Sequence, residues 1–363
     1  MRKLGEIAEI KTGNKDTQNK VENGIYPFFV RSNTVERINT YSYDGEAILT
    51  SGDGVGVGKN FHYINGRFDF HQRVYSIRNF KDGYDGKYIY SVFSEKFYDR
   101  VIRLSAKNSV DSVRMNMISE MKVSFPMFNE QLKIASFLTM IGDRIETQKK
   151  IIEDLQITKK EISLKLFKDG FNPSESKKEN FQKLGDITYV VNKKNKGNLK
   201  LPIYSINNKK GFISQSEQFE GIDSDERGYD ISLYKIIEKE TFAYNPARIN
   251  VGSIGYSRNL ENIIISSLYV CFKTTDAVDD EFLFHYLRTD IFRKEVLRSV
   301  EGGVRDYLFY ENFSRIKINL PDLEEQIKIA HFLSKFDEKI NLESDLLAQY
   351  EHQKKYLLQN LFV

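Results

Sequence analysis

Cysteine is almost missing from this 363-residue chain. Cys271 stands alone, which excludes an internal disulfide and fits a reducing compartment. It lies in an apolar, strand-like run and reads as inert core. Long apolar runs are missing too: none approaches the roughly 18 residues that a membrane span needs. The opening Met1-Arg2-Lys3-Leu4-Gly5 has no apolar signal segment, so a cytoplasmic protein without membrane contact is expected. Charge of one sign is not in excess. Lys and Arg number 54 against 51 Asp and Glu, a net +3, so any basic surface must be local.

Catalytic and metal signatures are lacking as well. His62, His71, His285, His331 and His352 show no metal-ligand spacing with one another or with Cys271. No Gly-x-Ser-x-Gly elbow occurs. The Gly-rich run 52–60 fails as a phosphate loop, because Asp53 and Asn60 occupy positions where the loop needs Gly and Ser or Thr. It fails as a dinucleotide fingerprint because Val57 replaces a glycine. Asn245-Pro246 begins like the Asn-Pro-Pro-Tyr motif of amino-methyltransferases, but Ala247 and Arg248 replace its second proline and its aromatic. Glu324-Glu325 reads as a helix cap. A protein that binds, and does not catalyse, is expected.

What is present is a duplication. Lys3-Leu4-Gly5-Glu6-Ile7 returns as Lys183-Leu184-Gly185-Asp186-Ile187. Pro126-x-x-x-Glu130-Gln131-x-Lys133-Ile134-Ala135-x-Phe137-Leu138 returns as Pro321-x-x-x-Glu325-Gln326-x-Lys328-Ile329-Ala330-x-Phe332-Leu333. The first pair is offset by 180 positions and the second by 195. So long a period means two similar domains and not a solenoid. The length and the folded-protein composition (40% hydrophobic, 29% charged) allow each domain its own core.

Residues 1–125 mix β-rich runs (Tyr26-Pro27-Phe28-Phe29-Val30, Ala47-Ile48-Leu49-Thr50, Val74-Tyr75-Ser76-Ile77) with glycine turns and a helical stretch at 87–104. Residues 126–170 form a helix, and 171–182 a helix stop and polar linker opened by Gly170-Phe171-Asn172-Pro173. Residues 183–320 form the second globule, with strand-like runs at 203–206 and 263–272 and a helical stretch at 280–297. Residues 321–363 form the second helix. Each globule is mixed α and β.

Steps of four and three from Ile134 run through Leu138, Ile141, Ile145, Gln148, Ile152, Leu155, Lys159, Ile162 and Leu166. Eight of the ten are apolar, without proline and with only Gly142 as a breaker, as a coiled-coil seam requires. The second copy gives Ile329, Leu333, Phe336, Ile340, Glu343, Leu347, Tyr350, Lys354, Leu357 and Leu361, with its polar breaks at the same places. The helices are expected to pair with each other, antiparallel about a pseudo-twofold axis, with Gln148, Lys159, Glu343 and Lys354 as polar layers. One register sets Lys159 beside Glu343 and Gln148 beside Lys354. A one-heptad shift would set Lys159 against Phe336 and Glu343 against Ile152.

The loops supply the candidate binding residues. Lys59, Arg67, Gln72 and Arg73 are expected around the Gly-rich turn, and Lys107, Asn108, Ser109 and Arg114 before the first long helix. In the second copy Asn245, Arg248 and Asn250 occupy the matching turn, and Gly302, Gly303 and Arg305 match residues 107–110. Arg reads guanine, and Asn or Gln reads adenine, through bidentate contacts in the major groove. Glycines let the backbone approach phosphates.

The twin Pro-x-x-x-Glu-Gln-x-Lys-Ile-Ala-x-Phe-Leu segments resemble the specificity subunit of type I restriction–modification enzymes (HsdS), and the likeness covers nearly the whole chain. In that family Lys-Leu-Gly-Glu/Asp-Ile opens each target-recognition domain, and residues 244–255 also resemble a family segment. The resemblance implies an α+β fold: two target-recognition domains, each followed by a conserved helix. It implies a non-catalytic subunit in which each domain reads one half of a bipartite site in double-stranded DNA. The helices would set the spacing and dock two methyltransferase subunits, with motor-nuclease subunits added for restriction. S-adenosylmethionine, ATP and Mg²⁺ would belong to those partners. A short N-terminal extension common in relatives is expected to be missing.

A 33-residue seam spans about 50 Å at 1.5 Å per residue, or roughly 15 base pairs at 3.4 Å each. The rivals are a coiled-coil scaffold whose globules bind protein without DNA sequence specificity, and a nuclease or methyltransferase with an unrecognised site.

Overall fold

The computed structural model describes residues 1–54, 56–105, 112–171, 180–218, 230–299 and 307–362. Lys107, Asn108, Ser109, Gly302, Gly303 and Arg305 lie outside them. The chain divides into two compact units, residues 1–150 with 345–363, and residues 151–344.

The first unit holds a six-stranded sheet in the order Glu9–Thr12, Val74–Arg78, Tyr43–Ser51, Phe61–Phe70, Tyr26–Phe29, Val35–Ile38. Neighbours are antiparallel except Tyr26–Phe29, which runs parallel to Phe61–Phe70. Alternation along Tyr43–Ser51 sends its side chains into two cores. Ala47 and Leu49 pack with Phe29, Phe68 and Phe70. Ile48 faces the other way, with Ile77, towards Ile89, Val92, Phe93, Phe97 and Val101 of the helix Gly86–Leu104. Asp85 caps that helix by accepting from the Tyr88 N–H at 2.7 Å.

The second unit has two four-stranded sheets, Thr188–Val190, Val270–Thr274, Phe242–Tyr244, Ile254–Tyr256 and Gly211–Ser214, Ile203–Asn207, Ile263–Ile265, Lys235–Ile237. The run 263–272, expected as one strand-like segment, therefore supplies strands to both sheets, joined by a turn in which Tyr269 N–H donates to the Ser266 carbonyl. The helical stretch 280–297 is also two elements, Asp280–Leu287 and Asp290–Ser299. Thr289 makes the break. Its buried hydroxyl donates to the Tyr286 carbonyl at 2.7 Å and accepts from the Phe292 N–H at 3.1 Å, capping the second helix.

The repeated motifs do the same structural work twice. Leu4 and Leu184 are fully buried, and their N–H groups donate to Met121 and Ile316. A Cβ on Gly5 would sit 2.9 Å from the Ser119 Cβ, and one on Gly185 would sit 2.8 Å from the Ser314 Cβ, so only glycine fits. Gln131, 1% exposed, accepts from the Asp85 N–H and donates to the carbonyls of Gly83 and Pro126. Gln326, equally buried, accepts from the Asp279 N–H and donates to Ala277 and Pro321. The glutamine of the motif thus ties the start of each long helix to the residue that caps an earlier helix, Asp85 of Gly86–Leu104 and Asp279 of Asp280–Leu287.

The long helices are Phe128–Asp169 and Leu323–Leu361. Every seam position expected on the first is buried or half-buried. On the second all are except Leu361, which is exposed while Leu358 and Phe362 join the core. In the first unit Ile134, Ala135 and Leu138 share a core with Leu357, Leu358 and Phe362, and Lys149 lies 3.8 Å from Glu351. In the second unit Leu166 and Phe167 share a core with Ile329, Ala330 and Leu333, while Lys159 meets Asp337. Rising numbers on one helix meet falling numbers on the other within each unit, so the helices are antiparallel.

The register differs from the expected one. The Lys159 ammonium lies 2.5 Å from Asp337, not Glu343, and Glu343 pairs with Lys339 on its own helix at 2.5 Å. Gly142, not Gln148, lies beside the Lys354 ammonium. The shift is close to one heptad. Lys159 tolerates it because its long stem carries the charge to the flank of the seam, where Asp337 follows Phe336.

Candidate nucleic-acid interface

In the first unit the turn 52–60 joins strands Tyr43–Ser51 and Phe61–Phe70. It is clamped from two sides. Gly52 N–H donates to the Arg73 carbonyl at 2.7 Å, and Val113 N–H donates to the Gly52 carbonyl at 2.7 Å. Asp53 pairs with Ser112 as an isolated bridge and holds Arg31 at 3.2 Å and Arg73 at 3.8 Å. Arg114, exposed, follows the clamp immediately, and among the described residues its side chain has no partner. Exposed Lys59 stands 4.5 Å from the Tyr98 ring centroid. Gln72 donates to Asp16 at 3.2 Å. Buried His71 accepts the Arg73 N–H on Nδ1 at 2.9 Å, and burial holds its pKa below the ordinary imidazole value, so it shapes the turn as a neutral ring.

Lys59, Gln72, Arg73 and Arg114 are thus gathered at the loops around the turn. Arg67 is not. Its Nε donates to Asp44 at 2.9 Å and its guanidinium lies 5.1 Å from the Tyr41 ring centroid. The ladder explains this: Arg67 stands opposite Asp44, six residues along the strand from Phe61, or about 20 Å at 3.3 Å per residue. Arg31 joins the site although sequence reasoning missed it. It follows a strand that pairs in parallel with Asp69 and Phe70, next to the His71–Arg73 loop, and it is held to the turn by Asn60 Nδ2, which donates to the Arg31 carbonyl at 3.1 Å; nothing local in the sequence signals that pairing.

In the second unit strand Phe242–Tyr244 runs into the matching turn. Asn245 Oδ1 accepts from the Ala247 N–H at 3.0 Å, so this side chain shapes the turn. A short helical turn, Ile249–Val251, ends at Gly252 with φ +86°. Ile249 is buried and anchors it, while Arg248 is exposed and Asn250 half-buried on either side. Among the described residues neither flanking side chain has a hydrogen-bond partner. Leu308 N–H donates to the Pro246 carbonyl at 3.1 Å. This is the first unit's clamp again, since Leu308 and Val113 are 195 positions apart. One frame therefore presents two different sets of polar side chains. Guanidinium and amide donors carried on such clamped turns can read base edges or hold phosphates.

The long helices carry a second matched feature. Phe128, Leu132 and Phe137 are exposed in the first unit, and their counterparts Leu323, Ile327 and Phe332 are exposed in the second. No helix among the described residues is long and apolar enough to cross a membrane. No three His, Cys, Asp or Glu side chains among them gather as a metal site.

A family model described as the type I restriction modification DNA specificity domain matches residues 1–156 and again 174–352. The MjaX type I restriction enzyme specificity subunit of Methanocaldococcus jannaschii is 27% identical over 287 residues, covering 76% of this chain and 66% of that protein. The EcoDI specificity subunit of Escherichia coli is 27% identical over 158 residues, 43% of this chain and 34% of that protein. The match spans less than two thirds of either relative's length. Among solved structures, the type I restriction-modification S subunit from M. genitalium aligns over 100% of this chain and 95% of its own, with a TM-score of 0.68 at 17% identity, a likeness of fold.

Proposed function

Because the chain belongs to the family of type I restriction modification DNA specificity domains, we propose that it is the sequence-specificity subunit of a type I restriction–modification complex. Each unit reads one half of a bipartite site in double-stranded DNA, and the subunit itself is non-catalytic. The duplicated clamp carries this reading: Val113 on Gly52 and Leu308 on Pro246 hold unlike residues, Arg73 and Arg114 against Arg248 and Asn250, in one frame. A frame kept constant around variable polar side chains is what two reading heads for unlike half-sites require.

The helices act as the spacer and as the docking platform. The repeated exposed apolar set on each long helix supports two equivalent partners, the methyltransferase subunits, to which motor-nuclease subunits are added for restriction. S-adenosylmethionine, ATP and Mg²⁺ are assigned to those partners, and the complex to the cytoplasm. Selection from a random duplex pool by the chain assembled with its methyltransferase subunits tests the reading. A split motif with an unread gap is the expected result, whereas an interaction scaffold would enrich no sequence.

A further inference from the structure

The second unit contains a cleft of about 850 Å³ between the hairpin turn 208–211, the two helices Asp280–Leu287 and Asp290–Ser299, and the long helices. Seven Lys and Arg side chains line it against two carboxylates. Its floor is already neutralised. Lys159 is paired with Asp337, and buried His285 lies beside the same carboxylate at 3.8 Å and bonds Ser334 at 3.1 Å. Around it, Lys160 and Arg293 share Asp290, and Arg258 pairs with Glu281. Three cations are left without an anionic partner among the described residues: Lys209, Lys210 and Arg288.

The placement of the free charges identifies the ligand. A compact anion is held by donors that converge on an enclosed floor, but here the floor is self-paired and the free cations are on its rim, the adjacent Lys209 and Lys210 exposed on the hairpin turn and Arg288 at the end of helix Asp280–Leu287. An extended ligand that carries several charges along its length suits cations on two different elements of the rim. The cleft is also continuous with the reading turn: a Cβ on Gly252, which ends the turn carrying Arg248 and Asn250, would lie 3.8 Å from the Asn208 carbonyl, next to Lys209 and Lys210. We propose that this cleft seats the phosphate backbone of the duplex beside the half-site that the second unit reads. The proposal rests on the DNA-reading assignment above and adds a contact that carries no sequence information.

The test is the salt dependence of binding. Each phosphate neutralised contributes about 0.9 to the slope of log affinity against log salt. The full chain, assembled with its methyltransferase subunits, is titrated with its selected duplex and a scrambled duplex. The variant is Lys209→Ala, Lys210→Ala and Arg288→Ala together. Between about 50 and 200 mM salt the wild type is expected to lose about 40-fold more affinity than the variant, for three lost contacts. The ratio of selected to scrambled affinity stays unchanged, and Lys209→Arg, Lys210→Arg, Arg288→Lys restores the slope. An unchanged slope overturns the seat, and so does a collapse of the sequence ratio. Saturable binding of inorganic phosphate that the variant loses, with the slope intact, also overturns it in favour of a free-anion site. A wild type that never distinguishes the two duplexes defeats the DNA-reading assignment instead.

Discussion

Arg248 stands exposed at the head of a short turn whose next residue, Ile249, is buried, so the backbone is anchored while the guanidinium is held out. Arg248→Ala is expected to relax one position of the recognised motif at a cost of about 1–3 kcal/mol if it reads a base, or to weaken all sequences alike if it holds a phosphate. Methylome sequencing and titration together distinguish the two, and no change in either refutes the assignment. His285 makes a second residue-scale expectation. Burial, and then the Lys159 cation, push its pKa down to about 3, while an unfolded imidazole titrates near 6.5. As pH falls through that window the unfolded chain takes up a proton that the folded chain refuses, so stability is lost, at up to about 1.4 kcal/mol per pH unit. Urea unfolding between pH 6.5 and 4.5 is expected to show a shallower decline for His285→Gln than for wild type. At this scale the sequence placed Arg73, Arg114, Arg248 and Asn250 at the clamped turns, where the structure has them, because glycine and turn chemistry mark loops locally. It misplaced Arg67 and hid Arg31, because strand length and parallel pairing decide where those side chains end up.

Among the elements, the glutamines of the twin Glu-Gln motifs have a structural role: Gln131 and Gln326 each satisfy one N–H and two carbonyls where another helix is capped. Gln326→Leu removes all three bonds at a buried position and is expected to cost about 2–4 kcal/mol. Gln131→Leu should do the same in the first unit, measured by denaturant midpoint, and a neutral result for either would contradict the clamp. The heptads made the long antiparallel helices legible, since period and length are written in consecutive residues. Their register was not. Seams of Ile and Leu repeat every heptad, so neighbouring registers bury nearly the same apolar surface. The choice is then left to contacts outside the seam, such as Asp337 between Lys159 and His285.

At the scale of the whole molecule the duplication was the most readable feature, because both copies keep the residues that build the frame: Leu4 and Leu184, Gly5 and Gly185, Gln131 and Gln326. What the copies do not share is the set of polar side chains at the clamped turns, and under the proposed function that difference makes two independent reading heads. Exchanging residues 1–125 for the same region of a relative, then sequencing the methylome of a host carrying the chimera with its methyltransferase subunits, tests this directly. One half-site is expected to change while the other half-site and the gap stay as they were. A chimera whose two half-sites change together, or whose motif is continuous and unsplit, would contradict it.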